Sequence, residues 1–413
     1  MTDTRRDVDA VGPASGEEGF RDRSFPALNA VRAAGAIMVV LTHSAFNTGK
    51  INDGWIGAAL ARFDFGVTLF FVLSGFLLSR PWFLAAAVGR HAPSTRHYLW
   101  KRALRILPLY WVVVVVAMLI DPQNEDATWQ DWVSHLTLTQ LYRPELLASS
   151  LTQMWSLCTE VAFYVLLPLI CLALTGWRPR TLRLNRVLAG AAVISVAGVT
   201  WQVTMAQIPG REGHYGQWLP GYLPWFMVGL AFAAISASLA AQPRKHVLDR
   251  IGADLAGCWI LAVGVFALAC SPLAGPRLLL TPTGWEAGAK VVLYAIAGTF
   301  FVLPLVFGPE REGSARRTLC GPVPFWLGEI SYGIFAIHMI VLNQVFLALD
   351  LAVFTGRFLT VAVLTLAVTV VLATISFYLF EKPILRLKNL RVFVRMEPRP
   401  DTGTDRAESE IAP

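Results

Sequence analysis

Arg32, His43 and Glu160 are residues able to do chemistry in places where a purely structural segment would not carry them. The stretch LNAVRAAGAIMVVLTHSAF, residues 28–46, is apolar over roughly the length that crosses a bilayer, yet it holds an arginine and a histidine. The two are eleven residues apart, which at about 100° and 1.5 Å per residue places them on nearly one helical stripe, roughly 16 Å apart along the axis. A charge inside a spanning segment costs several kcal/mol unless it faces protein or a wet cavity, so both are functional candidates. A guanidinium binds anions through paired donors, and an imidazole moves protons near neutrality. The plainer reading, Arg32 snorkelling to the interface and His43 capping the outer end, explains each residue alone but not the shared stripe.

Further on, QMWSLCTEVAFYVLLPL carries Ser156, Glu160 and Tyr164 at intervals of four, a polar stripe along one face. Glu160 and His43 both fall in the outer half of their spans, and a buried carboxylate needs a partner, which makes the imidazole an obvious one. A structural ion pair is the competing reading. In KRALRILPLYW, Arg102 and Arg105 are three apart and share a face at the inner mouth of a span. Arginine pairs suit phosphate through bidentate bonds, and anionic lipid headgroups satisfy them equally well. GEISYGIFAIHMIV carries Tyr332 and His338, six residues or about 600° apart, so at most one of them faces whatever His43 faces. Taken alone, His338 reads as a satisfied core histidine, and Glu381 beside Lys382 reads as a structural tie. Ser74-Gly75, in the middle of an apolar run, lets a helix or a ligand approach closely.

The elements that must position these residues are membrane helices. The 413 residues are 55% hydrophobic and 15% charged with mean hydropathy +0.53, which excludes a soluble domain of this size. The fold class is all-α and polytopic, with about ten transmembrane helices near 27–46, 63–80, 103–120, 153–176, 187–206, 219–240, 252–271, 288–307, 322–349 and 358–380. Alternate connections divide Lys and Arg 27 to 6, with Arg32 and Lys290 left inside spans. That asymmetry is the positive-inside pattern; it predicts both termini in the cytosol and turns the net charge of +7 into a topology signal instead of a nucleic-acid signal.

Residues 1–24 are polar without an apolar core, so no cleaved signal peptide is expected. They and residues 391–413 read as disordered cytosolic tails around a membrane domain at 25–390. The loop Asp121–Gln153 spaces Trp129 and Trp132 like the face of an interfacial helix. The five cysteines are scattered and read as buried small hydrophobes, with no metal site in their spacing. No internal repeat and no interrupted helix pair is visible.

Six ordered motifs together resemble the acyltransferase-3 family of integral membrane O-acyltransferases. They are LNAVRAAG with Arg32 and His43, Gly66–Phe76, Arg102–Trp111, Trp155–Pro168, Ile330–His338 and Phe380–Pro383. The family pattern reads LDGLRG with Arg-x10-His, GVxLFFVLSGF, RRxxRIxPxYW, WSLxxExxFYxxxP, ISYxxYLxH and F-E-x-P. This chain departs from it with Asn29 for the usual Asp, Thr68 for a frequent Asp, Val161-Ala162 for Glu-Gln, and Phe335 for a Tyr. The resemblance is to the stand-alone branch without an extracellular hydrolase domain.

The resemblance implies acyl transfer from a cytosolic acyl-CoA, most often acetyl-CoA, to a hydroxyl of an envelope glycan or glycolipid at the outer face of the inner membrane. On that reading His43 is the general base, with direct transfer and a covalent acyl-His43 intermediate both open, Glu160 orients it or stabilises the imidazolium, and Arg32 holds donor phosphate or polarises the carbonyl. Donor contacts fall to Arg102, Arg105, Ser74 and Tyr110. Acceptor contacts fall to Trp155, Ser156, Tyr164, Tyr332 and His338. A polysaccharide, a glycolipid such as an acylated trehalose, and a macrolide all fit as acceptor, and the oligomeric state is not legible. A transporter using Arg32, His43 and Glu160 as a relay is the second reading; the lack of repeats and of broken helices weighs against it. A structural membrane subunit leaves the buried arginine and glutamate unexplained.

Overall fold

The computed structural model describes residues 24–143, 147–176, 182–208, 215–277 and 280–389. Among them nine helices, or ten when one bent pair is counted as a single span, are long and apolar enough to cross a membrane. The chain runs α1 (Leu28–Asn47), α2 (Gly54–Ala61), α3 (Phe65–Ala87), α4 (Thr95–Ile120), α5 (Trp129–Leu136), α6 (Met154–Thr175), α7 (Leu184–Met205) and α8 (Leu219–Ala241). It continues with α9 (Val247–Ala253), α10 (Leu255–Ala269), α11 (Gly284–Val306), α12 (Gly313–Leu319), α13 (Pro322–Glu329), α14 (Ser331–Ala348) and α15 (Phe358–Ser376). The all-α, polytopic reading is borne out. Of the tails expected at 1–24 and 391–413, all but Ser24 lies outside the described residues.

The expected spans differ most from the helices at three places, each with a local cause. The third begins eight residues earlier, at Thr95, where the side chain of Ser94 accepts from the His97 amide and starts the helix. Lys101 and Arg102 therefore lie on the same formed helix as Arg105 instead of in a loop. The seventh is a pair, α9 and α10, bent by 85°, because Asp254 leaves helical geometry and caps the second helix through the Gly257 amide at 2.9 Å. The ninth breaks at Ile330 into α13 and α14. Broken helices do exist here, contrary to the expectation that weighed against a transporter.

The first helix is central: α1 packs against α3, α13, α14 and α15, while α3 lies along α8, and α7, α10 and α11 complete the other side. Glycine makes the tightest of these crossings. A Cβ at Gly75 would strike the Phe226 carbonyl, and one at Gly229 would strike the Val72 carbonyl, so α3 and α8 touch backbone to backbone. Gly75 serves the helix approach that the sequence allowed, and Ser74 beside it is left free for the site. Gly229→Val forces the helices apart, and the expected result is loss of folded, monodisperse protein on detergent extraction. Leu359→Val, at a largely exposed position, is the control and is expected to extract and migrate as the unaltered protein does.

Outward faces are apolar: Val193, Ile260, Leu359 and Leu379 are all largely exposed, as lipid-facing side chains are. Trp129 and Trp132 do lie on a short helix, α5, whose capping box joins Thr128 and Asp131. The hydroxyl of Thr128 and its backbone amide hold the Asp131 carboxyl below the usual carboxylate range, so the cap is intact at neutral pH. Four cysteines are buried, Cys320 is half-buried, and all five are free.

Candidate active site

A cavity of about 430 Å³ opens where α1 begins and where the segment after α15 ends. Its mouth carries Arg32 from α1, Lys101, Arg102 and Arg105 from α4, and Lys388 from the closing segment, with Glu329 beside them, and Glu160 also lines the space. Farther in, Val67, Phe70, Leu73, Leu157 and Phe335 make the walls apolar. The space is therefore cationic at its opening and greasy at its end, the lining expected for a molecule with an anionic head and an apolar arm.

The two arginines of α4 are not equivalent. Arg105 is committed: one guanidinium nitrogen lies 3.4 Å from Glu381 and another donates to the Glu329 carbonyl at 3.0 Å. Glu381 is 4% exposed and sits in a π-helical turn, Phe377–Glu381, just before Pro383, which has no amide to continue the α-ladder. The structural tie read for Glu381 is thus made, and Arg105 is its partner. Arg102 differs: its Nε is buried with no hydrogen-bond partner among the described residues, and its side chain lines the cavity. Arg32 donates to Asn29 Oδ1 at 3.3 Å. An amide stands there in place of the usual carboxylate, so the guanidinium keeps its charge for the cavity.

Glu160 accepts from Ser74 and, at 2.6 Å, from Tyr164. This corrects the expected Glu160–His43 pair: the carboxylate belongs to the cationic cavity with Ser156 and Tyr164, and does not touch the imidazole. His43 is bonded instead to His338, Nδ1 to Nε2 at 2.8 Å. Neither histidine lines the cavity, whose apolar lining includes Phe70 and Phe335, ring centroids 6.3 Å apart. Phe335 lies next to the pair, its centroid 6.2 Å from that of His338. Of Tyr332 and His338 only the second meets His43, as their separation of about 600° requires. Tyr332 lines the cavity and donates to the Ile106 carbonyl at 2.8 Å. His338 is more than a satisfied core histidine, because its partner is the other imidazole.

Two assigned residues lie apart. Tyr110 is fully buried and donates to the His135 carbonyl while accepting from Gln140, so it ties α4 to the loop after it and does not reach the cavity. Trp155 packs on Tyr222, centroids 5.2 Å apart, outside the cavity lining. Lys101, Glu329 and Lys388 were missed. Lys101 had a signal, its place beside Arg102, whereas Lys388 had none, since only the fold brings its segment to α4, where Trp100 donates to the Leu387 carbonyl at 3.3 Å. Lys290, counted with Arg32 as a cation inside a span, is paired with Asp64 at 2.5 Å, and Tyr294 also donates to that carboxylate at 2.5 Å.

The chain matches the family model described as an acyltransferase domain over residues 25–378. It is 26% identical to the acyltransferase MdmB of Streptomyces mycarofaciens over 92% of this chain and 96% of that protein. It is 24% identical to nodulation protein 10 of Rhizobium leguminosarum over 94% and 99%. It is 24% identical to the peptidoglycan O-acetyltransferase OatA of Listeria monocytogenes over 88% of this chain and 56% of that protein, so it spans little more than half of that relative. No solved structure matches it. The chain belongs to the acyltransferase-3 family and is an integral-membrane acyltransferase.

Proposed function

We propose that this protein is a membrane O-acetyltransferase that takes an acyl group, most simply acetyl, from cytosolic acyl-CoA and passes it to a hydroxyl of a cell-envelope glycan or glycolipid. The observation that carries this reading is the cavity whose mouth gathers five cationic side chains and whose apolar lining includes Phe335, next to the His43–His338 pair. The positive-inside count supports a cytosolic mouth, on the side where acyl-CoA is found. Arg102 and Arg32, whose guanidinium side chains line the cavity, take the donor's phosphates through charge-assisted bonds. The apolar walls take the pantetheine arm, which delivers the thioester toward His43.

His43 then removes the proton of the acceptor hydroxyl as its oxygen attacks the thioester carbonyl. The new C–O bond forms, the C–S bond breaks, and the departing thiolate recovers the proton from the imidazolium. The relatives named as peptidoglycan O-acetyltransferases support a glycan hydroxyl as acceptor. Glu160, held by Ser74 and Tyr164, shapes the donor cavity in place of the orienting role first assigned to it.

Purified protein in sealed proteoliposomes, given ¹⁴C-labelled acetyl-CoA on one side and glycan acceptor on the other, tests the reading. Label transferred to the acceptor is the expected result. Release of free acetate with no acceptor labelling, or no consumption of acetyl-CoA, overturns it.

A further inference from the structure

Two hydrogen bonds determine which nitrogens of the histidine pair carry protons. His338 Nδ1 lies 2.7 Å from the Phe335 carbonyl oxygen, which can only accept, so Nδ1 holds the hydrogen. In a neutral ring the other nitrogen, Nε2, is then bare. That bare nitrogen is the one 2.8 Å from His43 Nδ1. His43 must therefore carry its hydrogen on Nδ1, which leaves its own Nε2 as an unprotonated lone pair. The rings are within 8° of parallel with centroids 5.1 Å apart. A nitrogen separation of 2.8 Å is shorter than the ~3.5 Å at which atoms of stacked faces settle, so the rings meet edge to edge, as an N–H donating to a lone pair requires.

We propose that His338 is a positioning residue that fixes the tautomer and orientation of His43, so that His43 Nε2 is always presented as the free base. The relay runs from the Phe335 carbonyl through His338 to His43. It does for this imidazole what a buried carboxylate does in hydrolase triads, without placing another charge in the span. His338 is fully buried, so no solvent competes for its bond to His43. The role resembles the one expected of Glu160, moved to a neutral partner on α14. The inference rests on the reading of His43 as general base, but its structural half is measurable without turnover.

The tests are ¹⁵N NMR of histidine-labelled protein in lipid and the kinetics of two variants. The wild-type His43 resonances are expected to show protonated Nδ1 and bare Nε2. His338→Met, close in volume but offering the His43 Nδ1 hydrogen only a weak thioether acceptor, is expected to mix the His43 tautomers. It is also expected to lower kcat on the order of 10²-fold or more, with the acetyl-CoA KM unchanged. His338→Gln, whose amide oxygen can take the place of Nε2 as acceptor, is expected to restore kcat to within about tenfold of wild type. A wild-type His43 found with its proton on Nε2 overturns the proposal, as does His338→Gln proving as inactive as His338→Met, or His338→Met matching wild type. If His43→Asn retains full activity, the general-base reading fails instead, and the NMR result stands apart from it.

Discussion

His43→Asn lowers acyl transfer on the order of 10²–10⁴-fold while the protein accumulates and binds donor as before. Asparagine keeps an amide N–H near the Nδ1 position, so His338 Nε2 retains a hydrogen-bond donor and the span is not left with an orphaned buried acceptor. What it lacks is a group able to take a proton at neutral pH. The loss therefore falls on kcat, and the acetyl-CoA KM, set by the cationic cavity that neither histidine lines, stays put. His43→Ala is expected to lose as much activity and some stability besides, because it leaves His338 Nε2 unsatisfied at a cost of about 1–3 kcal/mol. Steady-state transfer with labelled acetyl-CoA, beside a thermal-shift measurement, separates the two effects. Near-normal kcat in His43→Asn removes this residue from the chemistry.

The second large effect divides two arginines one helical turn apart. Arg102→Met removes a guanidinium that has no partner for its Nε but lines the cavity, so folding loses little and donor binding loses one charge-assisted contact to phosphate. At about 1.5–3 kcal/mol, that contact corresponds to an acetyl-CoA KM raised roughly 10- to 150-fold, with kcat changed much less. Arg105→Met acts elsewhere. It strands Glu381, 4% exposed, without the cation it was folded against, and frees the Glu329 carbonyl. Breaking a fully buried pair costs about 3–5 kcal/mol. Arg105 is about a quarter exposed, so about 1–3 kcal/mol is the expected loss, read as a lower melting temperature and a lower yield. A donor KM raised equally by both changes, with no loss of stability in either, contradicts the division.

The sequence by itself determined the fold class and most of the span positions, because both follow from chain-local physics. A helix must bury its own backbone in lipid, so roughly twenty apolar residues announce it wherever it packs. The same locality made Arg32 and His43 legible as functional, since charge inside such a run is costly whatever its neighbours. The eleven-residue spacing even ordered them correctly, the arginine at the cationic mouth and the imidazole beyond the apolar end of the cavity.

Partnership was decided only by the tertiary structure. Glu160 and His43 were matched by estimated depth along two separate helices. A few residues of error in depth and an unknown rotation of α6 suffice to give the carboxylate to Ser74 and Tyr164 instead. His338 had the right depth but looked self-sufficient, because its link to a residue 295 positions away leaves no trace in local spacing. Tyr110, Arg105 and Lys388 teach the same point. Type and periodicity say which face a side chain occupies, whereas the rotation and tilt of neighbouring helices decide what that face meets, and these are set by backbone contacts such as Gly75 and Gly229.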